Sequence, residues 1–342
     1  KELLIEGRNV KGEILMKALL LEGKGKVSEM KVGNIQKPHP AKGEILVKIK
    51  ATALNPVDYK TGNGGNPSWT YPHVLGLDSA GVVEEVGEEV TTVKIGDRVV
   101  YHSDLSKKGG FAQYGVTTAH TVSLIPQGVS FEDAAAIPCA GYTAYQALFH
   151  KMNASKGQTI LIHAGAGGVG GFAIQLAKNA GLTVLTTASS ANHEFVKSLG
   201  ADYAIDYRKE DFVKKVLELT DGLGVDLVLD TVGRNNADES VKALAFNGQI
   251  AFIAGPPNVN DAISFAHPLS FHQVALGSVH QSNNVKEQQK LAEMGNKMLL
   301  LLQENKLNAL VEKVISLDEV PAALDELATR RVKGKIVAVI DK

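Results

Sequence analysis

Cysteine is almost absent: Cys139 is the single one in 342 residues. An intrachain disulfide is therefore impossible, and so is a cluster of zinc-binding thiolates. The natural reading is a reducing, cytoplasmic setting. Long apolar runs are missing too. None approaches the roughly 20 residues that span a bilayer, and the tightest, MLLLL at 298–302, reads as one face of a helix. Charge of one sign is also lacking, since 36 basic and 37 acidic residues nearly cancel and neither forms a block. This argues against nucleic acid and membrane as partners. The opening stretch KELLIEGRNVKGEIL has no apolar core or small-residue cleavage site, so it is no secretory signal. Met16 begins MKALLLEG like a natural start, and Lys11-Gly12-Glu13 can be encoded by a purine-rich ribosome-binding sequence. Residues 1–15 are thus read either as the leader of a bacterial protein or as a disordered arm.

What is present falls into two patterns, and 342 residues suit one large or two moderate domains. From Met16 to about Pro126, short alternating runs such as EILVKIKATALN, SAGVVEEVG and DRVVY lie between Gly, Pro and Asp turns. That is the pattern of a small barrel or sandwich. FEDAAAIPCAGYTAYQAL then reads as helices interrupted at Pro138, and from Thr159 strands alternate with helices. Such alternation implies a doubly wound parallel sheet. An amphipathic helix over roughly 285–304 and a strand–helix–strand tail follow; the last strand fits either sheet by pattern alone.

The strongest local signal is HAGAGGVGGFAIQLAK. Gly165, Gly167 and Gly170 satisfy G-x-G-x-x-G between an apolar strand and a helix, the context of a dinucleotide loop. Gly165 permits the tight turn, Gly167 the approach of a pyrophosphate, and Gly170 close helix–strand packing. Ala166, Gly168 and Val169 complete the loop, and the helix start offers free N–H groups to the phosphates. An NAD-binding carboxylate is expected at the end of the second strand. Here that strand ends TTASSANH, with no acid before Glu194. The small hydroxyl residues Ser189 and Ser190 leave room for a 2′-phosphate, and His193 with Tyr207, Arg208 and Lys209 can supply contacts. NADPH is therefore the expected cofactor.

The order of motifs resembles the medium-chain dehydrogenase/reductase superfamily throughout Met16–Asp341. The resemblance rests on ATALNPVDYK, VLGLDSAGVVEEVG, GDRVV, GGFAQY, AAAIPCAGYTAYQAL, the glycine loop, LGAD, DLVLDTVG and GKIVAVI. It implies an α/β chain with a GroES-like β-rich catalytic domain, residues 16–134 and 282–342. The remainder, 135–281, would be a Rossmann NADPH-binding domain. The branch most similar is that of zinc-independent quinone oxidoreductases and enone reductases. Zinc-bearing members place a Cys, a His and a later Cys or acid where this chain has Asn55, Leu77 and Cys139, so no metal site is expected.

The resemblance puts Asn55 at the active-site Asn position, as a donor to the acceptor's oxygen, with Tyr59 and Lys60 as further catalytic candidates on the same turn. Trp69 and Tyr71, from TGNGGNPSWTYP, would wall a flat quinone or enone substrate, or else pack the barrel edge. Thr143 matches a cofactor-contacting Thr, and Ala254 and Gly255 the backbone that meets the carboxamide. Asp78 is expected to be structural, and Cys139 a small buried hydrophobe. The branch also implies a homodimer through the apolar run Phe271–Gln281. The expected activity is NADPH-dependent reduction of quinones or α,β-unsaturated carbonyls. The alternatives are reduction of saturated aldehydes or ketones, and a non-catalytic nucleotide-binding protein.

Overall fold

The structure, a computed structural model, describes residues 12–340; residues 1–11 of the expected leader or arm lie outside them. The ladder of the first strand begins at Leu15, and the Ile14 carbonyl already accepts the Lys37 N–H at 2.9 Å. The chain divides into two compact units. One holds the residues up to Cys139, Gly277–Glu304 and those from Val311 onward; the other holds Ala140–Leu276 and Asn305–Leu310.

In the first unit, β1 (Leu15–Leu20) pairs antiparallel with β2 (Lys31–Gln36). A larger sheet is built from β3 (Glu44–Ala53), β4 (Asp78–Val86), β5 (Arg98–His102), β6 (Tyr114–Thr118) and β7 (Ser123–Leu124). Alternation decides the inner face: Ile45, Val47, Val83, Val99 and Tyr101 pack into one cluster. A second cluster joins Leu19, Leu21, Val74, Phe111, Leu324 and Ile336.

In the second unit the parallel strands are β8 (Thr159–Ile162), β9 (Thr183–Thr187), β10 (Tyr203–Ile205), β11 (Val225–Asp230), β12 (Leu244–Phe252) and β13 (Ser270–Gln273). Their order is β10-β9-β8-β11-β12-β13, so the direction of winding reverses beside β8, where such sheets take their ligands. Leu161, Leu185, Val216, Val228 and Ile250 form its core. The chain then returns to the first unit with the helix Val285–Gln303, β14 (Val311–Ser316) and β15 (Lys335–Val339). There β15 lies between β14 and β3, with Val337 opposite Ala53. This settles the sheet of the last strand.

One expectation is corrected. Phe271–Gln281 is no continuous strand: β13 stops at Gln273 and Leu276–Gln281 is a 3-10 turn. The reason is that β12 ends at Phe252, opposite Gln273, so the ladder has no further rungs. The helical stretch is interrupted at Pro138 as expected, one helix ending at Ala135 and the next opening at Pro138. Its wide turns run to Lys151, and the Met152 N–H reaches five residues back to the Ala147 carbonyl. Among the described residues no helix is long and apolar enough to cross a membrane.

Candidate active site

Asn55 ends β3's exit and precedes the helix Pro56–Gly64, where Pro56 sets the first helical φ. Asp58 reaches back to accept the Asn55 N–H at 2.8 Å and also accepts the Gly76 backbone N–H. The Asn55 side chain points inward and the residue is 2% exposed. Its Nδ2 donates to Asp78 Oδ2 at 2.8 Å and, at 3.4 Å, to the Ala53 carbonyl. Its Oδ1 accepts from Lys335 Nζ at 2.6 Å, and the same ammonium donates to the Leu54 carbonyl at 3.0 Å. Asp78 Oδ1 accepts the Cys139 N–H at 2.8 Å, and Lys335 Nζ stands 3.8 Å from Asp78 Oδ2. One buried ammonium thus serves two buried carboxylates.

That imbalance has an electrostatic price. Burial raises the carboxyl pKa of Asp58 to about 7, with the Asp78 charge adding to the effect. Burial raises Asp78 to about 6, opposed by Lys335 and the Asn55 hydrogen bond. For Asp58 the folded chain keeps a proton that the unfolded chain, with an ordinary value near 3.8, has released. Its stabilising contribution is full below pH 4 and is lost as pH rises through 7. Asp58→Asn is therefore expected to flatten the fall in stability between pH 4 and 7. Denaturant unfolding followed by the fluorescence of Trp69, the only tryptophan, measures it; an unchanged slope would assign the pH dependence elsewhere.

Around this network, Leu77 is buried and its carbonyl accepts the Ser103 N–H at 2.6 Å. Tyr59 is half-buried against the second cluster and Lys60 is exposed. Trp69 is only 7% exposed, stacked on His73 with ring centroids 4.1 Å apart, and its Nε1 donates to the Leu105 carbonyl at 2.7 Å. Tyr71 is 40% exposed. Asp78, His102 and Cys139 each bring one potential ligand atom within 4.8 Å of the others. Both Asp78 oxygens already accept hydrogen bonds, burial and the Asp78 charge push the Cys139 thiol up, and His102 Nδ1 lies 3.2 Å from His280 Nε2.

In the second unit the glycine turn follows β8. A methyl group on Gly165 would fall 2.1 Å from Thr186 Oγ1, and one on Gly170 only 2.3 Å from the Ala164 carbonyl. On Gly167 it would meet nothing nearer than that carbonyl at 3.4 Å, so this side of the turn is open. Gly168, Val169 and Gly170 start the helix Gly168–Asn179, and Ala166 precedes it. His163 was not foreseen. Its Nε2 lies 2.8 Å from Ser240 Oγ and its Nδ1 3.1 Å from Thr187 Oγ1. Ser240 spends its proton on the Asn236 carbonyl, so His163 Nε2 donates and Nδ1 accepts from Thr187. Thr187 in turn accepts the Ala164 N–H at 3.1 Å. Burial keeps this imidazole neutral, its pKa lowered to about 3. The chain of bonds anchors the turn at Ala164, whose φ is +53°.

At the end of β9 the expected residues meet a carboxylate from β10. Ser190 Oγ bonds Asp206, and Lys209 Nζ donates to Ser190 Oγ at 3.1 Å. The Ser190 bond holds the Asp206 carboxyl below the ordinary range. Ser189 Oγ accepts from Asn192, and His193 Nε2 lies 3.1 Å from the Ala188 carbonyl. Tyr207 is exposed beside Arg208. Thr143 is buried, while Ala254 and Gly255 follow β12 and Ala254 is exposed. Thus Asn55, Asp58 and Lys335 meet at one point and the glycine and Ser190 residues line one sheet end, whereas Trp69 is engaged with His73 and Leu105.

Comparison with known proteins agrees with this construction. The family model described as an alcohol dehydrogenase GroES-like domain matches residues 41–127, and that of a zinc-binding dehydrogenase matches 168–296. A quinone oxidoreductase of Pseudomonas aeruginosa is 34% identical over 88% of this chain and 93% of its own. A 2-methylene-furan-3-one reductase of Solanum lycopersicum is 35% identical over 94% of this chain and 78% of its own. The solved structure of a quinone oxidoreductase from Coxiella burnetii superposes with a TM-score of 0.81 at 34% identity, covering 95% of this chain and 99% of that one. The GroES-like sheet, the six-stranded Rossmann-type sheet and these relatives show that the chain belongs to the medium-chain dehydrogenase/reductase superfamily of oxidoreductases, related to its quinone oxidoreductases and enone reductases.

Proposed function

We propose that the chain is an NADPH-dependent reductase of quinones or α,β-unsaturated carbonyls that works without a metal. The observation that carries the reading is the Asn55 corner. An amide stands there with a buried ammonium on its oxygen, and the neighbouring Leu77 has no donor atom. Asn55 and Leu77 are no zinc ligands, so a catalytic zinc, which wants three protein ligands, would have only Asp78, His102 and Cys139 to hold it. Lys335 would repel a cation at Asp78, both of whose oxygens are already bonded. Without a Lewis acid, acceptors that spread negative charge over a conjugated system are the ones within reach. The names of the relatives, a quinone reductase and a reductase of a methylene ketone, point the same way.

The pyrophosphate is assigned to the open side of the turn at Gly167, on the N–H groups of Gly168, Val169 and Gly170. When bound, the reduced nicotinamide supplies the hydride; Asn55, Tyr59 and Lys60 are the groups assigned to the acceptor. NADPH is favoured by the absence of a carboxylate on β9 itself and by Lys209 on the Ser190 hydroxyl. Asp206 opposes it, so the balance is measurable. NADPH oxidation in the presence of 9,10-phenanthrenequinone, 2-alkenals and simple aldehydes is expected with the first two classes, at a lower KM than for NADH. Turnover of simple aldehydes alone, or a preference for NADH, would sink the corresponding half of the reading.

A homodimer belongs to the same proposal. The edge strand β13 has its outer hydrogen-bonding side open, and Phe265, Ile263 and Phe246 are exposed in the same unit. Sedimentation at micromolar concentration is expected to give twice the chain mass of 36.4 kDa; a monomer contradicts it.

A further inference from the structure

Lys335 lies 280 residues from Asn55 in sequence yet touches it directly, and it is 4% exposed. Such complete burial of a lysine is unusual and asks for partners. Here all of them belong to the Asn55 corner: the Leu54 carbonyl, Asn55 Oδ1 and the Asp78 carboxylate. An Asn amide can in general be turned by half a revolution, exchanging oxygen and nitrogen. At this place the turn is forbidden. It would set Nδ2 against an ammonium that has only donors, and Oδ1 against a carboxylate that, when ionised, only accepts. The ammonium therefore selects one of two amide directions. It also draws electron density toward Oδ1, which makes the Nδ2 hydrogens better donors. One of these is spent on Asp78 at 2.8 Å, while the other has only the long 3.4 Å contact to Ala53.

We propose that Lys335 is the positioning residue of the acceptor site, acting through Asn55: it fixes the direction of the Asn55 amide and strengthens its second Nδ2 hydrogen as a donor to the acceptor's oxygen. This rests on the reductase reading above. Lys335 touches no reacting atom; its effect on turnover passes through Asn55 alone. The same clamp on Leu54 and Asn55 holds the start of the helix that carries Tyr59 and Lys60.

The test uses the full chain as Lys335→Met, Lys335→Arg, Asn55→Ala and the Lys335→Met/Asn55→Ala double variant, assayed by NADPH oxidation with 9,10-phenanthrenequinone. Lys335→Met is expected to lower kcat about 10- to 100-fold, with the KM for the quinone changed about 2-fold at most. NADPH affinity, read by nucleotide fluorescence, stays within about 2-fold of wild type, because the nucleotide residues lie in the other unit. Lys335→Arg regains part of the loss. In the Asn55→Ala background Lys335→Met adds almost nothing, as expected of two groups acting as one. Multiplying losses, a change confined to KM, or full turnover in Lys335→Met would overturn the proposal. Should Lys335→Met not melt cooperatively, Lys335→Gln takes its place, keeping a donor without the charge.

A second readout separates this proposal from the reductase reading. In protein carrying 15N-labelled asparagine, the Asn55 side-chain amide is expected to exchange slowly in wild type and Lys335→Arg, and quickly in Lys335→Met. Slow exchange without turnover of any acceptor removes the reductase reading and leaves the clamp. Equally slow exchange in Lys335→Met removes the clamp whatever the activity.

Discussion

Asp78→Ala is expected to cost about 3–5 kcal/mol of stability, the range for breaking a buried ion pair by deleting one partner. The carboxylate has no exposure, so nothing in solvent replaces it. Its loss takes the acceptor from the Asn55 Nδ2–H and the Cys139 backbone N–H, and the counter-charge from the Lys335 ammonium, which keeps only the Leu54 carbonyl and Asn55 Oδ1. Asn55 and Lys335 are buried, and an unmet buried donor costs more than a made bond returns. Asp78→Asn keeps one acceptor oxygen and is expected to lose about half as much. Denaturant unfolding monitored by Trp69 reads the difference within the unit that holds both residues. A cost of about 1 kcal/mol or less would mean that the pair is worth no more than a surface ion pair.

Gly170→Ala is the second large effect. The added methyl group would lie 2.3 Å from the Ala164 carbonyl oxygen and 2.8 Å from Gly165 Cα, both backbone atoms, so no rotamer change relieves it. Overpacking of this kind costs about 1–3 kcal/mol, occasionally more. The displaced turn is also expected to lose NADPH affinity by about 10-fold or more, since a shift of one ångström misplaces the N–H groups proposed to face the phosphates. Gly167→Ala is the control. Its methyl group meets only one atom, at 3.4 Å, so the melting temperature should stay near wild type while NADPH binding weakens. Equal melting temperatures for the two variants would show that the turn yields at Gly170, and equal NADPH affinities that Gly167 does not face the nucleotide.

The order of elements was legible because each announces itself locally. The alternation of β3 and β4 and the glycine turn between β8 and its helix depend on residues close in sequence. Asp78 was read as structural, and its carboxylate does hold backbone, accepting the Cys139 N–H. Lys335 was not legible. At the head of GKIVAVI it has the look of an exposed strand-start cation, and only the pairing of β15 with β3 carries it to Asn55. Asp206 was hidden for the same reason: β9 itself ends without an acid, and the end of its parallel neighbour β10 delivers one to Ser190. Trp69 sat in a stretch rich in Gly and Pro, which says nothing of the stack with His73 that buries it. The length of β13 was misjudged because apolar composition does not reveal where its partner strand stops.

The placement of β15 also orders events in time. Every residue of the second unit precedes Val311, so that unit can close before the last strand of the first is in place. The first unit cannot: its sheet stays open beside β3, and Asn55 and Asp78 stay without their cation, until Lys335–Val339 emerge. The half begun first is thus the half finished last. A chain that ends before Lys335 should already retain NADPH on a nucleotide column, yet reduce no quinone.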